Sequence, residues 1–218
     1  MKITLMKELL RANDQVALEN RAFFDSRKIF SLNIMASPGA GKTSFILATA
    51  ERLPQDIKVG VIEGDVASSL DAQTIASRGI PVIQVNTGGS CHLDAPMIRS
   101  ALSQSSLGPI DLLFVENVGN LVCPAYFPLG THLNVVIASL PEGQDKPYKY
   151  PDIFAIADVI ILNKVDLLPF LDFDLEYFKR GIYMVNPEVP IFPLSCKTGE
   201  GFEKWMTWLL LKVRNAFV

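Results

Sequence analysis

Residues 33–44 read NIMASPGAGKTS, and this stretch decides the fold. An apolar run ends in a glycine-containing loop, and Gly-Lys-Thr follows at the start of a helical pattern. Such a loop binds polyphosphate, because its N–H groups and the helix N-terminus favour anions. Ala36 departs from the usual pattern G-x-x-x-x-G-K-[ST], which begins with glycine. We therefore predict a phosphate-binding loop with one unusual position.

The side chains of this loop have separate predicted roles. The Lys42 ammonium would reach the β- and γ-phosphates and act in catalysis, and the Thr43 hydroxyl would coordinate Mg²⁺. A chance Gly-Lys-Thr turn before a helix is the competing interpretation. The residues predicted to bind the nucleotide here are Pro38, Gly39, Ala40, Gly41, Lys42, Thr43 and Ser44.

A second motif, Asn163-Lys164-Val165-Asp166, directly follows the apolar run VIIL and specifies the base. The Asp166 carboxylate can accept hydrogen bonds from N1–H and the 2-amino group of guanine, and adenine offers neither donor. Sites that recognise a substrate N–H in this way can discriminate by roughly 10⁴ to 10⁵. Asn163 would support the loop and the base, and Lys164 would lie along the ring.

The segment Ser195-Cys196-Lys197, after the run VPIFPL, is predicted to donate a backbone N–H to the guanine oxygen. A polar turn between a strand and a helix is the alternative interpretation of the Asn-Lys-x-Asp motif by itself. Because the two motifs occur together in the expected order, we predict that GTP and GDP are bound in preference to adenine nucleotides.

Length and composition favour one globular unit. The chain has 218 residues, about half of them apolar, which is enough for a sizeable core without disulfides. The net charge of −3 predicts neither a nucleic-acid nor a membrane partner. No apolar run approaches the roughly 18 residues of a spanning helix, and the charged N-terminus is unlike a signal peptide. We expect a cytoplasmic protein, with its three cysteines as free thiols or metal ligands.

Short apolar runs alternate with helical patterns along the chain. This alternation predicts an α/β fold of three layers, in which a mostly parallel sheet of about seven strands is flanked by helices. The predicted strands are 30–36, 58–63, 81–85, 111–116, 133–140, 158–162 and 190–194. The predicted helices are 42–52, 69–78, 94–105, 151–157 and 201–213. We also predict an N-terminal helical segment, residues 1–28, packed on a single nucleotide-binding domain, residues 29–218.

Acidic residues at two strand ends would complete a phosphoryl-transfer site. Glu116 ends the run DLLFVE, and Asp65 follows the run VGVIE. One or both would hold Mg²⁺ or its waters, and Gly119 could sense the γ-phosphate through its N–H. Asp71 could orient the attacking water or serve as a switch contact. The alternative for Asp65 and Asp71 is that they only cap helices.

Three further residues could bind a second metal. Cys91, His92 and Cys123 offer two thiolates and an imidazole, which suit Zn²⁺ or Ni²⁺. Asp94 could accept a hydrogen bond from the His92 ring. Cys123 lies four residues after Gly119, so a metal held there would be linked to the nucleotide state. A purely structural Cys-His pair is the alternative interpretation.

Several long strings together resemble one family. SPGAGKTS, EGDVASSLDA, QVNTGGSCHLDAPMI, FVENVGNLVCP, EGQDKPYKYP, LNKVDLLP and SCKTGEGFEKWMTWL occur in this order, and the likeness runs from about residue 16 to the C-terminus. They resemble HypB, the hydrogenase-maturation GTPases of the SIMIBI class of P-loop NTPases. That family has a small residue other than glycine at the position of Ala36.

The resemblance implies a metallochaperone that couples GTP hydrolysis to nickel delivery. It implies a Ni²⁺ or Zn²⁺ site at Cys91, His92 and Cys123, a homodimer favoured by GTP, and two partners: a nickel-handling maturation protein and the hydrogenase large subunit. It also implies that Lys146 and Lys149 lie near the nucleotide and the dimer contact.

The chain departs from some family members in lacking an N-terminal Cys-x-x-Cys-Gly-Cys motif and a histidine-rich tract. We therefore expect no nickel-storage site of those types. No arginine finger is evident near the phosphate loop, which predicts slow turnover. Three alternatives stay open: a urease-type nickel-insertion GTPase, a nucleotide-gated metal-binding scaffold, and a P-loop kinase.

Overall fold

The computed structural model describes residues 5–104 and 107–217. A seven-stranded sheet lies at the centre of the molecule, with helices packed on both faces. The strands are β1 (Phe30–Ala36), β2 (Val59–Asp65), β3 (Val82–Asn86), β4 (Leu112–Glu116), β5 (Leu133–Ser139), β6 (Val159–Asn163) and β7 (Ile191–Pro193). The helices are α1 (Leu5–Arg27), α2 (Lys42–Ala50), α3 (Leu70–Ser77), α4 (Ala95–Ser103), α5 (Lys146–Lys149), α6 (Pro151–Ala155), α7 (Leu175–Tyr183) and α8 (Phe202–Asn215).

The sheet is parallel throughout, in the order β3-β2-β4-β1-β5-β6-β7. Every residue of β1, β4 and β6 is buried, as expected for strands covered on both faces. β1 lies at the centre, between β4 and β5. Because parallel strands end at one edge, the loops after β1, β2, β4 and β6 meet there.

The predicted fold class is confirmed, and each predicted strand is present with bounds that differ by up to two residues. β2 continues to Asp65, two residues beyond its predicted end. The predicted helix 94–105 corresponds to α4, and its predicted end at Ser105 lies outside the described residues. Helices α5 and α7 were not predicted. A signal for α7 existed, because Asp174 precedes it as an N-cap, accepting a hydrogen bond from Tyr177 N at 2.8 Å.

The N-terminal helix α1 is attached to the rest of the chain through buried side chains. Asn20 Nδ2 donates to the carbonyl oxygens of Ala95 and Leu129 at 2.9 and 3.0 Å, and Phe24 is fully buried. The division of the chain at residue 28 stays a prediction. Residues 1–4 and 218 of the two predicted segments lie outside the described residues.

Candidate functional site

The phosphate loop lies between β1 and α2, at the carboxyl edge of the sheet. Gly41 has a φ of 100°, a left-handed conformation that glycine adopts without strain. A Cβ at Gly41 would also lie 2.6 Å from Asn163 Nδ2, so only glycine fits. Ala36, in contrast, is the fully buried last residue of β1. Its extended conformation explains why a glycine is not needed at that position.

Asn163 joins the phosphate loop to the base-recognition loops. Its Nδ2 donates to Ala40 O at 3.0 Å, and its Oδ1 accepts from the backbone N–H groups of Lys164 and Cys196 at 2.8 and 3.2 Å. Lys164 has a φ of 63°, which is uncommon for a residue with a side chain. Its Nζ donates to Gly39 O at 2.7 Å. The Asn-Lys-x-Asp motif therefore supports the phosphate loop directly.

Asp166 is held in position by Ser195. The fully buried Ser195 Oγ donates to Asp166 Oδ1 at 2.6 Å and accepts from the N–H groups of Lys197 and Thr198 at 3.2 and 3.1 Å. A cavity of about 330 Å³ lies beside these groups. Its lining comprises Gly41, Ser44, Asn163, Lys164, Asp166, Leu167, Ser195, Cys196 and Lys197. The structure thus brings together the residues predicted to bind the base.

A larger cavity of about 660 Å³ lies at the opposite edge of the sheet. Its lining includes Val59 at the start of β2 and Pro81 and Ile110 just before β3 and β4. It is therefore separate from the loops that carry the motifs.

Glu116 faces the head of α2. Thr43 Oγ1 donates to Glu116 Oε1 at 2.9 Å, and Glu116 is only 2% exposed. Burial raises the pKa of Glu116 to about 7, although Lys42 and the Thr43 hydrogen bond act in the opposite direction. Mg²⁺ fits this arrangement, because the Glu116 Oε2 atom is buried and has no hydrogen-bond partner within residues 5–104 and 107–217.

Asp65 is already bonded to its own loop. Its Oδ1 accepts from the N–H groups of Ala67 and Ser68 at 2.9 and 2.6 Å, and these hydrogen bonds lower the pKa of Asp65. The predicted alternative, a helix cap, is wrong for Asp65, because Ser69 is the N-cap of α3 and Asp65 instead closes a turn within the loop before it. Asp71 is exposed in the first turn of α3. Gly119 packs on the phosphate loop, since a Cβ there would lie 2.9 Å from Pro38 Cγ.

Glu63 was missed by the sequence analysis. It lies inside β2, is 2% exposed, and pairs in register with Glu116 of β4. Burial and then the Glu116 charge raise the pKa of Glu63 to about 8. The available signal was a glutamate within the apolar run VGVIEGD, two residues before Asp65 and so on the same face of the strand.

Cys91, His92 and Cys123 come together beside these loops. One ligand atom from each lies within 4.8 Å of the others, and the two Sγ atoms are 2.8 Å apart. Burial lowers the pKa of His92, which favours the neutral imidazole that metals bind. The hydrogen bond with Cys123 raises the pKa of Cys91, so metal binding would have to displace its proton.

The surroundings of His92 differ from the prediction. Its ring stacks on Phe127, with the centroids 3.9 Å apart, and the sequence analysis missed this neighbour. Asp94 Oδ1 instead accepts from Met97 N at 2.8 Å, as the N-cap of α4. Asp94 influences His92 only through its charge. The need to satisfy the first N–H groups of α4 explains this difference.

A short loop after β4 joins the phosphate loop to the cysteine cluster. Asn120 N donates to Ala36 O at 2.9 Å, and Asn120 Nδ2 donates to Cys91 O at 3.1 Å. Cys123 follows three residues later. One residue therefore bonds both the strand before the phosphate loop and the backbone of a cysteine in the cluster.

Lys146 and Lys149 lie on the short helix α5. Lys149 forms an ion pair with Asp145, and Lys146 Nζ lies 5.3 Å from the centroid of the Tyr150 ring. Neither lysine is among the described residues that line the cavity beside Asp166. Their predicted position near the nucleotide stays a prediction.

The parallel sheet, the loop after its central strand, and the Lys-Thr pair heading α2 define a P-loop nucleotide-binding protein. The model of the CobW/HypB/UreG nucleotide-binding domain matches residues 31–193. The hydrogenase maturation factor HypB of Azotobacter vinelandii is 46% identical over 207 residues, which cover 95% of this chain and 68% of that protein. The chain therefore belongs to the HypB family of hydrogenase maturation factors.

Solved structures agree with this assignment. HypB from Helicobacter pylori in complex with nickel has a TM-score of 0.88 and 37% identity, covering 94% of this chain and 97% of that chain. HypB from Archaeoglobus fulgidus has a TM-score of 0.86 and 39% identity, and the match covers 93% of this chain and 99% of that chain. The predicted resemblance is confirmed. In the described ranges, none of the helices is long and apolar enough to cross a membrane.

Proposed function

We propose that this chain is a GTPase metallochaperone that couples GTP binding and hydrolysis to nickel delivery in hydrogenase maturation. The observation that carries the proposal is the double contact of Asn120, which joins the end of β1 to the backbone of Cys91. The names of the relatives support the process, and the nickel complex of the Helicobacter pylori protein supports the metal.

GTP is the proposed nucleotide. Asp166 would accept hydrogen bonds from guanine N1–H and the 2-amino group, with Ser195 fixing the carboxylate through the 2.6 Å hydrogen bond. Asn163 would hold the phosphate loop against the base pocket, and a backbone N–H of the segment 195–197 would donate to the guanine oxygen. An adenine base would cover the Asp166 carboxylate without donating to it, and the loss of both base donors carries a large penalty.

Hydrolysis of GTP to GDP and phosphate is proposed at the head of α2. Lys42 would contact the β- and γ-phosphates, and Thr43, Glu116 and Asp65 would hold Mg²⁺ directly or through water. When bound, Mg²⁺ would neutralise charge on the phosphates. Asp71 is exposed and free to approach a γ-phosphate, where it would orient the attacking water. Gly119 packs closely on Pro38 of the phosphate loop, and its N–H would sense the γ-phosphate.

The cysteine cluster is the proposed site for nickel as cargo, with Zn²⁺ as a second metal of similar ligand preference. Cys91, His92 and Cys123 supply three ligands, and a tetrahedral site needs a fourth. We infer that GTP favours a homodimer in which two clusters meet. Hydrolysis would loosen the loop at Asn120 and release the metal.

The cellular setting follows from this role. The proposed partners are a nickel-handling maturation protein, which would load or receive the metal, and the hydrogenase large subunit. We place the protein in the cytoplasm. We also propose that residues 1–28 form a helical segment packed on one nucleotide-binding domain, residues 29–218.

The test is equilibrium Ni²⁺ binding to the purified chain, with GDP and with a non-hydrolysable GTP analogue side by side. We expect a higher Ni²⁺ affinity or a different Ni²⁺ stoichiometry per chain with the GTP analogue. By linkage, Ni²⁺ must then raise the affinity for the GTP analogue by the same factor. Identical Ni²⁺ binding in the two nucleotide states would contradict the proposal.

Metal delivery and turnover are tested separately. We expect steady GTP hydrolysis that a maturation partner accelerates. If nucleotide controls metal binding but blocking hydrolysis leaves metal release unchanged, the protein acts as a nucleotide-gated scaffold instead. Cys196→Ala is the matched control for the cluster cysteines, because this third cysteine lies in the base pocket.

A further inference from the structure

Glu63 is a buried carboxyl group in an apolar strand. It is 2% exposed, and its Oε2 atom has no hydrogen-bond partner in the part of the chain that the structure describes. Buried polar groups are almost always hydrogen-bonded, and each exception needs a reason. An unpaired buried carboxyl destabilises a strand unless a ligand satisfies it.

The position of Glu63 indicates which ligand. In the parallel register Glu63 pairs with Glu116, and Glu116 pairs with Ile34, so these side chains share one face of the sheet. Ile34 packs in the same core cluster as Phe45 of α2. Glu63 therefore lies on the face of the sheet that α2 covers, next to Glu116 in the register. Thr43, in the first turn of α2, donates to the Glu116 carboxyl group.

A second unpartnered oxygen lies close to the first. Glu116 Oε2 is also buried and has no hydrogen-bond partner among residues 5–104 and 107–217. Two carboxyl groups that are opposite each other in the register thus each have one buried oxygen unsatisfied, and Thr43 Oγ1 donates to one of the two groups. Water molecules around a bound cation would satisfy such oxygens.

The charges around Glu63 favour a cation. Glu116 lies opposite Glu63 in the strand register, and Asp65 follows Glu63 by two residues on the same face of β2. Lys42 begins α2, which covers this face. A divalent cation would compensate such a group of carboxyl side chains, whereas a single ammonium group would not.

We propose that Glu63 is a positioning residue for Mg²⁺, in which the buried Oε2 accepts a hydrogen bond from a water molecule of the ion's coordination shell. This role rests on the proposed GTPase function and adds a residue that the motifs do not contain. Glu63 supports the ion from inside the sheet, while Thr43 and Glu116 lie nearer to the nucleotide. It also explains why a charged side chain is kept at a buried position.

The test uses Glu63→Gln, which keeps the shape of the side chain and removes its charge. Glu188→Gln, at an exposed position, is the control for the same chemical change. The first measurement is the Mg²⁺ concentration that half-saturates binding of a fluorescent non-hydrolysable GTP analogue. Residues that orient metal ligands typically contribute 10- to 100-fold to metal affinity, so we expect the half-saturating Mg²⁺ concentration to rise by about that factor. The control should match the parent protein.

The second measurement needs no nucleotide. Urea unfolding at pH 7.5 without Mg²⁺ should give Glu63→Gln a midpoint equal to or above that of the parent, because on folding the parent must either take up a proton at Glu63 or bury a charge there, and the amide does neither. Glu63→Met, an apolar side chain of similar length, should show the same two effects. Binding of GDP without Mg²⁺ should match that of the parent, because Glu63 does not line the cavity beside Asp166.

Each contrary result has a distinct meaning. An unchanged Mg²⁺ requirement in Glu63→Gln overturns the role of Glu63 while leaving the GTPase proposal in place. A lower urea midpoint or a failure to fold in both variants identifies a purely structural carboxyl and also overturns it. If the parent itself binds the GTP analogue without regard to Mg²⁺, the proposed GTPase function fails, and the role of Glu63 fails with it.

Discussion

The proposed base pocket and the proposed magnesium site both contain fully buried polar side chains, but they differ in how these groups are satisfied. In the base pocket, Asn163 and Ser195 are 1% and 0% exposed, and both are fully engaged in hydrogen bonds to neighbouring loops. In the magnesium site, Glu63 and Glu116 are both 2% exposed, and each has a buried oxygen without a partner in the described ranges.

This difference corresponds to two ways of binding a ligand. The hydrogen bonds of the proposed base pocket are formed in advance, so binding would lose little free energy in ordering the loops and would select strictly for the correct base. The proposed magnesium site leaves carboxyl oxygens unsatisfied, and a cation would satisfy them. Its stability would therefore depend on the ligand. The predictions below test this contrast, from the largest expected effect to the smallest.

The strongest test of preorganisation is Asp166→Asn. An amide at this position can donate to the 2-oxygen of xanthine but cannot accept from both guanine donors. We expect the preference for GTP over XTP to reverse, with guanine affinity falling by roughly 10³-fold or more. Competition binding of the two nucleotides measures this. Unchanged preference for GTP would show that Asp166 does not recognise the base.

Replacing Cys91 tests whether the cysteine cluster binds a metal independently of the proposed base pocket. Cys91→Ala removes a proposed direct ligand, so the loss of Ni²⁺ affinity should be at least the roughly 10- to 100-fold typical of residues that only support ligands. Affinity for GTP without metal should not change, because the base pocket is formed independently. Calorimetric titration of Ni²⁺ checks the first point, with Cys196→Ala as the control for loss of a cysteine outside the cluster, and titration of GTP into Cys91→Ala and the parent checks the second. A large loss of GTP affinity would identify Cys91 as structural.

The link between the two sites is tested by Asn120→Ala. This change removes the donor to Cys91 O but leaves every proposed ligand intact. Coupling between sites commonly changes an affinity 5- to 150-fold. In this variant we expect the ratio of the Ni²⁺ affinities with the GTP analogue and with GDP to fall close to one. The control is Asn186→Ala. In the parent protein the Asn186 side chain donates to carbonyl groups of residues 154–157, so this variant also loses side-chain-to-backbone hydrogen bonds. Equal coupling in both variants would exclude Asn120 as the link.

The smallest predicted effect is on pH dependence without nucleotide or metal. Burial raises the pKa of Glu63 to about 8 and of Glu116 to about 7, above the ordinary value of 4.5. Such groups bind protons more tightly in the folded state, so their contribution to stability is present at low pH and lost as pH rises. The free energy of unfolding should therefore fall relative to that of Glu63→Gln between about pH 5 and 8.

The histidines do not disturb this comparison. Burial lowers the pKa of His92 and His132, so their contributions increase as pH rises, which is the opposite direction. The parent and Glu63→Gln both contain these histidines, so the histidine contributions cancel when the two free energies of unfolding are subtracted. Urea unfolding at a series of pH values provides the measurement. A difference that is constant with pH would show that Glu63 titrates normally.

The sequence by itself determined the features that are local in the chain. The phosphate loop and the Asn-Lys-x-Asp motif each lie within a few consecutive residues, so their composition and spacing carry their chemistry. The alternation of apolar runs and helical patterns predicted the parallel α/β fold, because hydrophobic periodicity follows directly from the geometry of each element. Family membership followed from the order of long strings.

Only the tertiary structure decided the features that depend on distant segments. Glu63 is an ordinary glutamate in the sequence, and it becomes an unpaired buried carboxyl because β2 pairs with β4 in a register that sets it beside Glu116. Likewise, Asn120 and Phe127 gain their roles from loops that the sheet brings together. Strand order and register arise from packing over the whole core, and no local pattern encodes which side chains will meet there.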